Sequence, residues 1–157
     1  MDESLRSMLQ GTAALWVAVA AALFLTLSRP IPNPQPLARD RLLRLYMVAI
    51  SLHCMHFLEE FLTGFHLRFP ALLGLQAWTV EFFVTVNLAC IALWSLSAAG
   101  IWSGLRLAYF PLWFLVIAML ANCAAHPAFA LLTGGYFPGL ATSPLMGWMG
   151  VVLWRKL

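Results

Sequence analysis

The segment Leu52-His53-Cys54-Met55-His56-Phe57-Leu58-Glu59-Glu60-Phe61-Leu62 sets two histidines and two adjacent glutamates in a run otherwise apolar enough to cross a bilayer. An ionised carboxylate at the bilayer centre costs roughly 3 kcal/mol or more, so such residues in such a run mark a site. On a helix His56 can face Glu59, three residues on, or Glu60, four residues on, and His53 lies one turn deeper on the same side. The two glutamates diverge by roughly 100° about the axis and cannot point the same way. Two chemistries follow from these residue types. A carboxylic acid held protonated away from water donates a proton that an imidazole accepts or relays. Alternatively, carboxylates and imidazoles converging from several helices ligate zinc or iron and support hydrolysis or oxidation.

The elements that must position these residues follow from composition. Of 157 residues, 62% are hydrophobic and 10% charged, against about 25% charged in soluble domains. The chain therefore reads as one all-α integral membrane domain over 1–157, a polytopic helix bundle of about five transmembrane helices. The spans fall at about 11–28, 42–66, 76–98, 105–132 and 139–154; the last crosses only if it begins near Gly139. Residues 1–10 read as a short polar lead rather than a signal peptide, because the chain begins Met1-Asp2-Glu3. The run RPIPNPQP from Arg29 to Pro36 is an extended connection. The Gly- and Pro-rich segment from Thr133 to Pro144 is a loop above the proposed site, able to serve as a lid or a plain turn.

Arg29, Arg39, Arg41, Arg44, Arg106, Arg155 and Lys156 fall on one side of such a bundle, and only Arg6 and Arg68 on the other. By the positive-inside rule the N-terminus is outside and the C-terminus cytoplasmic, in a bacterial inner membrane. A net charge of +3 carried at helix ends is no nucleic-acid footprint. Cys54, Cys90 and Cys123 fall within spans without CxxC spacing, so neither a disulfide framework nor a zinc knuckle is implied. The expected partners are the bilayer and a hydrophobic small molecule; the oligomeric state is not legible.

Three of the six acidic residues, Glu59, Glu60 and Glu81, lie inside spans. At helical rise Glu60 sits about six residues before the outer end of span two, and Glu81 about five after the outer start of span three. His126 lies about six residues before the outer end of span four, with Asn122 a turn deeper on its face. Antiparallel neighbours thus bring Glu59, Glu60, Glu81, Asn122 and His126 to one level in the outer half of the membrane. In the acid–base reading, His56 and Glu60 are a donor–relay couple and Glu81 the counter-base. Asn122 and His126 then orient a lipid or isoprenoid substrate for isomerisation or cyclisation. In the metal reading, zinc or iron draws its ligands from His56, Glu59, Glu60, Glu81 and His126. A third reading, non-enzymatic transport or ligand binding by a proton relay, finds little in the inner halves beyond Ser51, Asn87 and Ser95. Structural roles account for others: His53 as a core residue, His66 at the interface, and Trp78, Trp94 and Trp113 packed against lipid, with the lining of a cavity as the alternative for these three.

His56-Phe57-Leu58-Glu59-Glu60 resembles the HXXEE signature of a family of small bacterial membrane proteins named for it, with the likeness running from about Leu42 to Thr142. The resemblance implies further family histidine and glutamate positions at His126 and Glu81. In architecture the chain is also similar to the emopamil-binding sterol isomerases. These have five spans, a His-x-x-x-Glu pair on the second, a glutamate on the third and an asparagine on the fourth, the order of His56/Glu60, Glu81 and Asn122. That likeness implies proton-transfer chemistry.

Overall fold

A computed structural model describes residues 3–31 and 35–157. The first two residues and the centre of the expected proline-rich connection, 32–34, lie outside the described residues. Among those described, the helices are α1 (Glu3–Gly11), α2 (Ala13–Ser28), α3 (Pro36–Thr63), α4 (Phe65–Leu72), α5 (Val80–Trp102), α6 (Tyr109–Thr133) and α7 (Ser143–Trp154). A 3₁₀ turn, Arg106–Ala108, leads into α6. Three helical stretches (36–63, 80–102 and 106–133) are long and apolar enough to cross a membrane. The pair α1–α2, bent by 43°, makes a fourth if taken as one span. The fifth expected span, α7, has 12 residues and so reaches only about 18 Å.

Several boundaries depart from the sequence reading for identifiable reasons. Residues 3–11 are helical rather than a loose lead, because contacts distant in sequence hold them. The Ser7 hydroxyl donates to the Gln76 carbonyl at 2.6 Å, and the Gln76 amide donates to Glu3 at 2.6 Å. Helix α3 starts at Pro36, where a proline costs no hydrogen bond. It stops at Gly64, whose left-handed φ of 79° closes the C-terminus. After it comes the short α4, which the sequence left as connection. Helix α5 begins four residues past the expected start at Gln76, capped by the Thr79 hydroxyl accepting from the Phe82 N–H at 3.2 Å, and runs through Gly100 to Trp102.

Helix α6 is the centre of the bundle, packed against α7, α2 and α5, while α3 packs against α5 and α7. Leu112, Leu115, Met119, Met146 and Leu153 are fully or almost fully enclosed there. The α6–α7 approach depends on a missing side chain: a Cβ on Gly147 would lie 2.2 Å from the Cys123 sulfur, the small-residue contact by which apolar helices gain packing without a hydrophobic drive. Trp78, Trp94 and Trp113, read from sequence as lipid-facing, are buried.

The two ends differ in chemistry. At one, Arg106 donates to the carbonyls of Thr26, Leu27 and Arg29, and Arg39 donates to the Trp102 carbonyl at 2.7 Å. These guanidinium groups satisfy carbonyls that the ends of α2 and α5 leave free. Arg29 also lies over Trp113 and Trp154, 5.4 and 5.3 Å from their ring centres, tying α2 to α6 and α7. The opposite end gathers α1, α4 and the 134–142 connection, and the ionisable cluster lies beneath it.

Candidate functional site

Helix α3 places His53, His56 and Glu60 at successive spacings of three and four, so all three share one face, and all three are buried. Glu59, displaced around the axis, turns to the 134–142 connection instead. Its carboxylate accepts from the Tyr136 hydroxyl, the Ala141 N–H at 2.9 Å, the Thr142 N–H at 2.8 Å and the Thr142 hydroxyl. One carboxylate thus satisfies two backbone donors of a non-helical segment folded into the bundle, where unpaired N–H groups are costly. Arg68 of α4 donates to the Tyr136 carbonyl at 2.9 Å and rests over Phe137.

That connection orients both histidines. His126 of α6 donates from Nδ1 to the Pro138 carbonyl at 2.6 Å, since a carbonyl can only accept. His56 Nδ1 meets the Thr142 hydroxyl oxygen at 2.6 Å. The single Thr142 hydroxyl proton goes to Glu59, so Thr142 accepts and His56 Nδ1 donates. Both rings are thereby set in the tautomer whose Nε2 carries a lone pair, and both Nε2 atoms face Glu60 Oε1, at 3.5 Å for His56 and 3.4 Å for His126. The ring of His126 fits only because residue 139 is glycine. Gly139 has φ +84°, and a Cβ there would stand 2.4 Å from His126 Cε1.

The separations carry chemical information. A charge-assisted N–H···O⁻ bond closes to about 2.7–2.9 Å, whereas two ligand atoms each about 2.0–2.1 Å from a tetrahedral zinc lie about 3.3 Å apart. The Glu60–His56 and Glu60–His126 gaps are near the second spacing, while the set as a whole spans 4.8 Å, so its ligand atoms would have to draw together to share one ion. Ligand atoms of His56, Glu60 and His126 all lie within 4.8 Å of one another, all three residues are buried, and His56 Nε2 has no hydrogen-bond partner. Two imidazoles and one carboxylate, with each Nδ1–H held by an oxygen, are a set of side chains that could hold a metal ion, with the supporting hydrogen bonds such ligands use.

Not every expected residue joins. Glu81 is exposed in the first turn of α5, where its charge complements the helix N-terminus; it lies outside the cluster. Glu59 acts through Thr142 rather than at the centre. Asn122 is half-buried and lines an adjoining cavity with Asn87, but it is not one of the three converging residues. His66, expected at the interface, is buried against Phe61 and Phe83. Sequence reasoning missed Tyr136, Pro138, Gly139 and Thr142 as site-building residues, although the uncharged, glycine-rich segment that carries them was visible. The cavity measures about 210 Å³, and Glu60 is the member of the triad that lines it; its walls come from α1 to α6.

These features define a small all-helical bundle, with helices of membrane-crossing length and composition, built around a buried two-histidine, one-carboxylate centre. The chain belongs to the HXXEE-motif family: the model described as "protein of unknown function with HXXEE motif" matches residues 47–153, more than half of the sequence and all of the centre. No curated protein and no solved structure matches it, and the architectural likeness to the emopamil-binding isomerases is not supported.

Proposed function

We propose that this protein is a membrane-embedded, metal-dependent enzyme, with zinc or iron held by His56, Glu60 and His126, acting on a hydrophobic substrate. The observation that carries the reading is the paired tautomer. Both imidazoles are fixed by oxygen acceptors on Nδ1, and both direct Nε2 lone pairs at the same carboxylate oxygen. A cation would reconcile three buried electron-rich groups that converge. Bound there, zinc supplies Lewis-acid and activated-water chemistry for hydrolysis, and iron supports oxidation. Glu60 borders the cavity, so a metal held by these three residues would lie beside the space a substrate would fill.

A second reading has its own support. Without a cation, a protonated Glu60 would have two imidazole acceptors within 3.5 Å, a proton-sharing arrangement suited to isomerase or cyclase chemistry. Elemental analysis of protein purified without chelator separates the two. About one zinc or iron per chain, lost in Glu60→Gln and retained in Glu81→Gln, supports the metal reading. Metal-free protein that turns over substrate supports proton transfer.

In this proposal the bundle sits in a bacterial inner membrane with five crossings, the fifth made by α7 together with the 137–142 connection, of which Phe137, Pro138 and Gly139 are buried. Seven of nine basic residues lie at the end opposite the site, which supports a cytoplasmic C-terminus, an outer N-terminus and a centre in the outer half of the membrane.

A further inference from the structure

The cavity beside Glu60 contains polar atoms that the fold leaves unanswered. His53 is 6% exposed and lines it; neither of its ring nitrogens makes a well-formed hydrogen bond, and its one polar neighbour there, Asn87, donates its amide to the Phe83 carbonyl at 3.0 Å. Trp94, also lining the cavity, sets its ring edge-on to His53 at 4.6 Å, and its indole N–H is likewise unpartnered. A neutral imidazole brings one donor and one acceptor, and an indole one donor. Buried groups of this kind nearly always find partners within a native structure. His53 lies seven residues before Glu60 on the same face, about 10 Å along the axis. The remaining walls are mainly aliphatic and aromatic.

The cavity has a side toward the lipid. Helix α2 packs on α6 and α5 packs on α3 and α6, but α2 and α5 scarcely touch. Ala14 and Leu15 of α2 and Phe82, Val86 and Cys90 of α5 line the gap between them and remain partly exposed.

We infer that this cavity binds an elongated apolar molecule carrying a hydroxyl or carbonyl group. The molecule enters sideways from the bilayer between α2 and α5, and His53 and Trp94 read its polar group two helical turns from Glu60. The inference rests on the proposed function only in taking the Glu60 end as the reacting end; the pocket and its polar selectivity stand on geometry alone. Substrates with a polar group about 10 Å from the reacting bond, such as hydroxylated or oxo-bearing lipid chains, fit this spacing.

The test uses the full chain in phosphatidylcholine nanodiscs, labelled with a diazirine-bearing fatty alcohol and mapped by mass spectrometry. Labelling is expected on α2 near Leu15 and on α5 between Phe82 and Trp94. 1-Decanol should displace the probe at a membrane mole fraction at least tenfold lower than decane. His53→Phe should erase that tenfold preference while leaving decane competition unchanged, and His53→Gln should retain part of it. Val86→Trp should block labelling from the gap. Equal competition by decanol and decane in the unmodified protein, or labelling confined to lipid-facing positions such as Phe24 and Leu96, overturns the inference. Repeating the competition after chelator treatment separates the two proposals: a preference that survives without metal upholds the pocket whatever the elemental analysis returns.

Discussion

Thr142 stands between Glu59 and His56, giving its hydroxyl proton to the carboxylate and taking one from the imidazole at 2.6 Å. The first glutamate of the motif therefore reaches the centre through a hydroxyl on another segment, and the second reaches it directly. Thr142→Val removes the relay while keeping the shape. His56 then loses the partner that fixes its tautomer, and metal affinity should fall about 10–100-fold, the usual cost of losing a supporting hydrogen bond. Thr142→Ser should restore it. Competition against a calibrated chelator measures the change; an unchanged affinity in the valine variant would mean that Thr142 does not orient His56.

Glu59→Ala should act on the connection rather than on the ligand set. Two backbone N–H groups and two hydroxyls lose their acceptor together. A destabilisation of about 1–3 kcal/mol is expected, with faster amide exchange at Ala141 and Thr142 and little change in the middle of α6. Hydrogen-exchange mass spectrometry reads this directly, and uniform protection in the variant would contradict it.

Gly139→Ala should damage the centre from a distance in sequence. The added Cβ has no room beside His126, and the positive φ disfavours any side chain. Metal content should drop and the melting temperature fall. Gly135→Ala, with nothing within 4 Å of the added carbon and no positive φ, is the matched control and should behave as wild type.

The phenol of Tyr136 is held above its ordinary titration range, by burial first and then by its hydrogen bond to Glu59. The sign follows: a group raised on folding contributes its full stabilisation below the unfolded pKa and loses it as pH climbs through the folded value. The latch on Glu59 is therefore intact through neutral pH and releases only in strong alkali. The ultraviolet difference titration of wild type minus Tyr136→Phe should show a phenolate transition above that of free tyrosine, moving down in Glu59→Gln. A midpoint at or below the free value would disprove the bond to Glu59.

What the sequence disclosed, and what it concealed, divides along a physical line. Spacing within one helix fixes azimuth, so the shared face of His53, His56 and Glu60 and the divergence of Glu59 were legible from numbering alone. Depth across helices fixes only level. His126 met Glu60 because α6 happens to turn that face inward, whereas Glu81, at a similar level, faces outward. The packing of α1 on Gln76 and the folding of 137–142 onto Glu59 and His126 depend on partners 12 to 83 residues away, which no local pattern announces. For the same reason α7 is shorter than its apolar run implies: its first residues are drawn into the connection that holds the histidines.

Glu81 and Glu60 give the cleanest contrast, because sequence treats them alike and structure does not. Glu81 is exposed at a helix start and Glu60 is enclosed between two imidazoles. Glu81→Gln removes a surface charge near the α5 N-terminus, worth about 0.3–1 kcal/mol, and should leave metal content and turnover intact. Glu60→Gln replaces the oxygen proposed as a ligand by a neutral amide between the same two rings. It should abolish stoichiometric metal while the bundle still folds, since the amide can donate to an Nε2 lone pair and take over part of the buried hydrogen bonding. Elemental analysis with circular dichroism on both variants decides it. Equal loss in the two would return Glu81 to the site and undo the assignment of the centre to His56, Glu60 and His126.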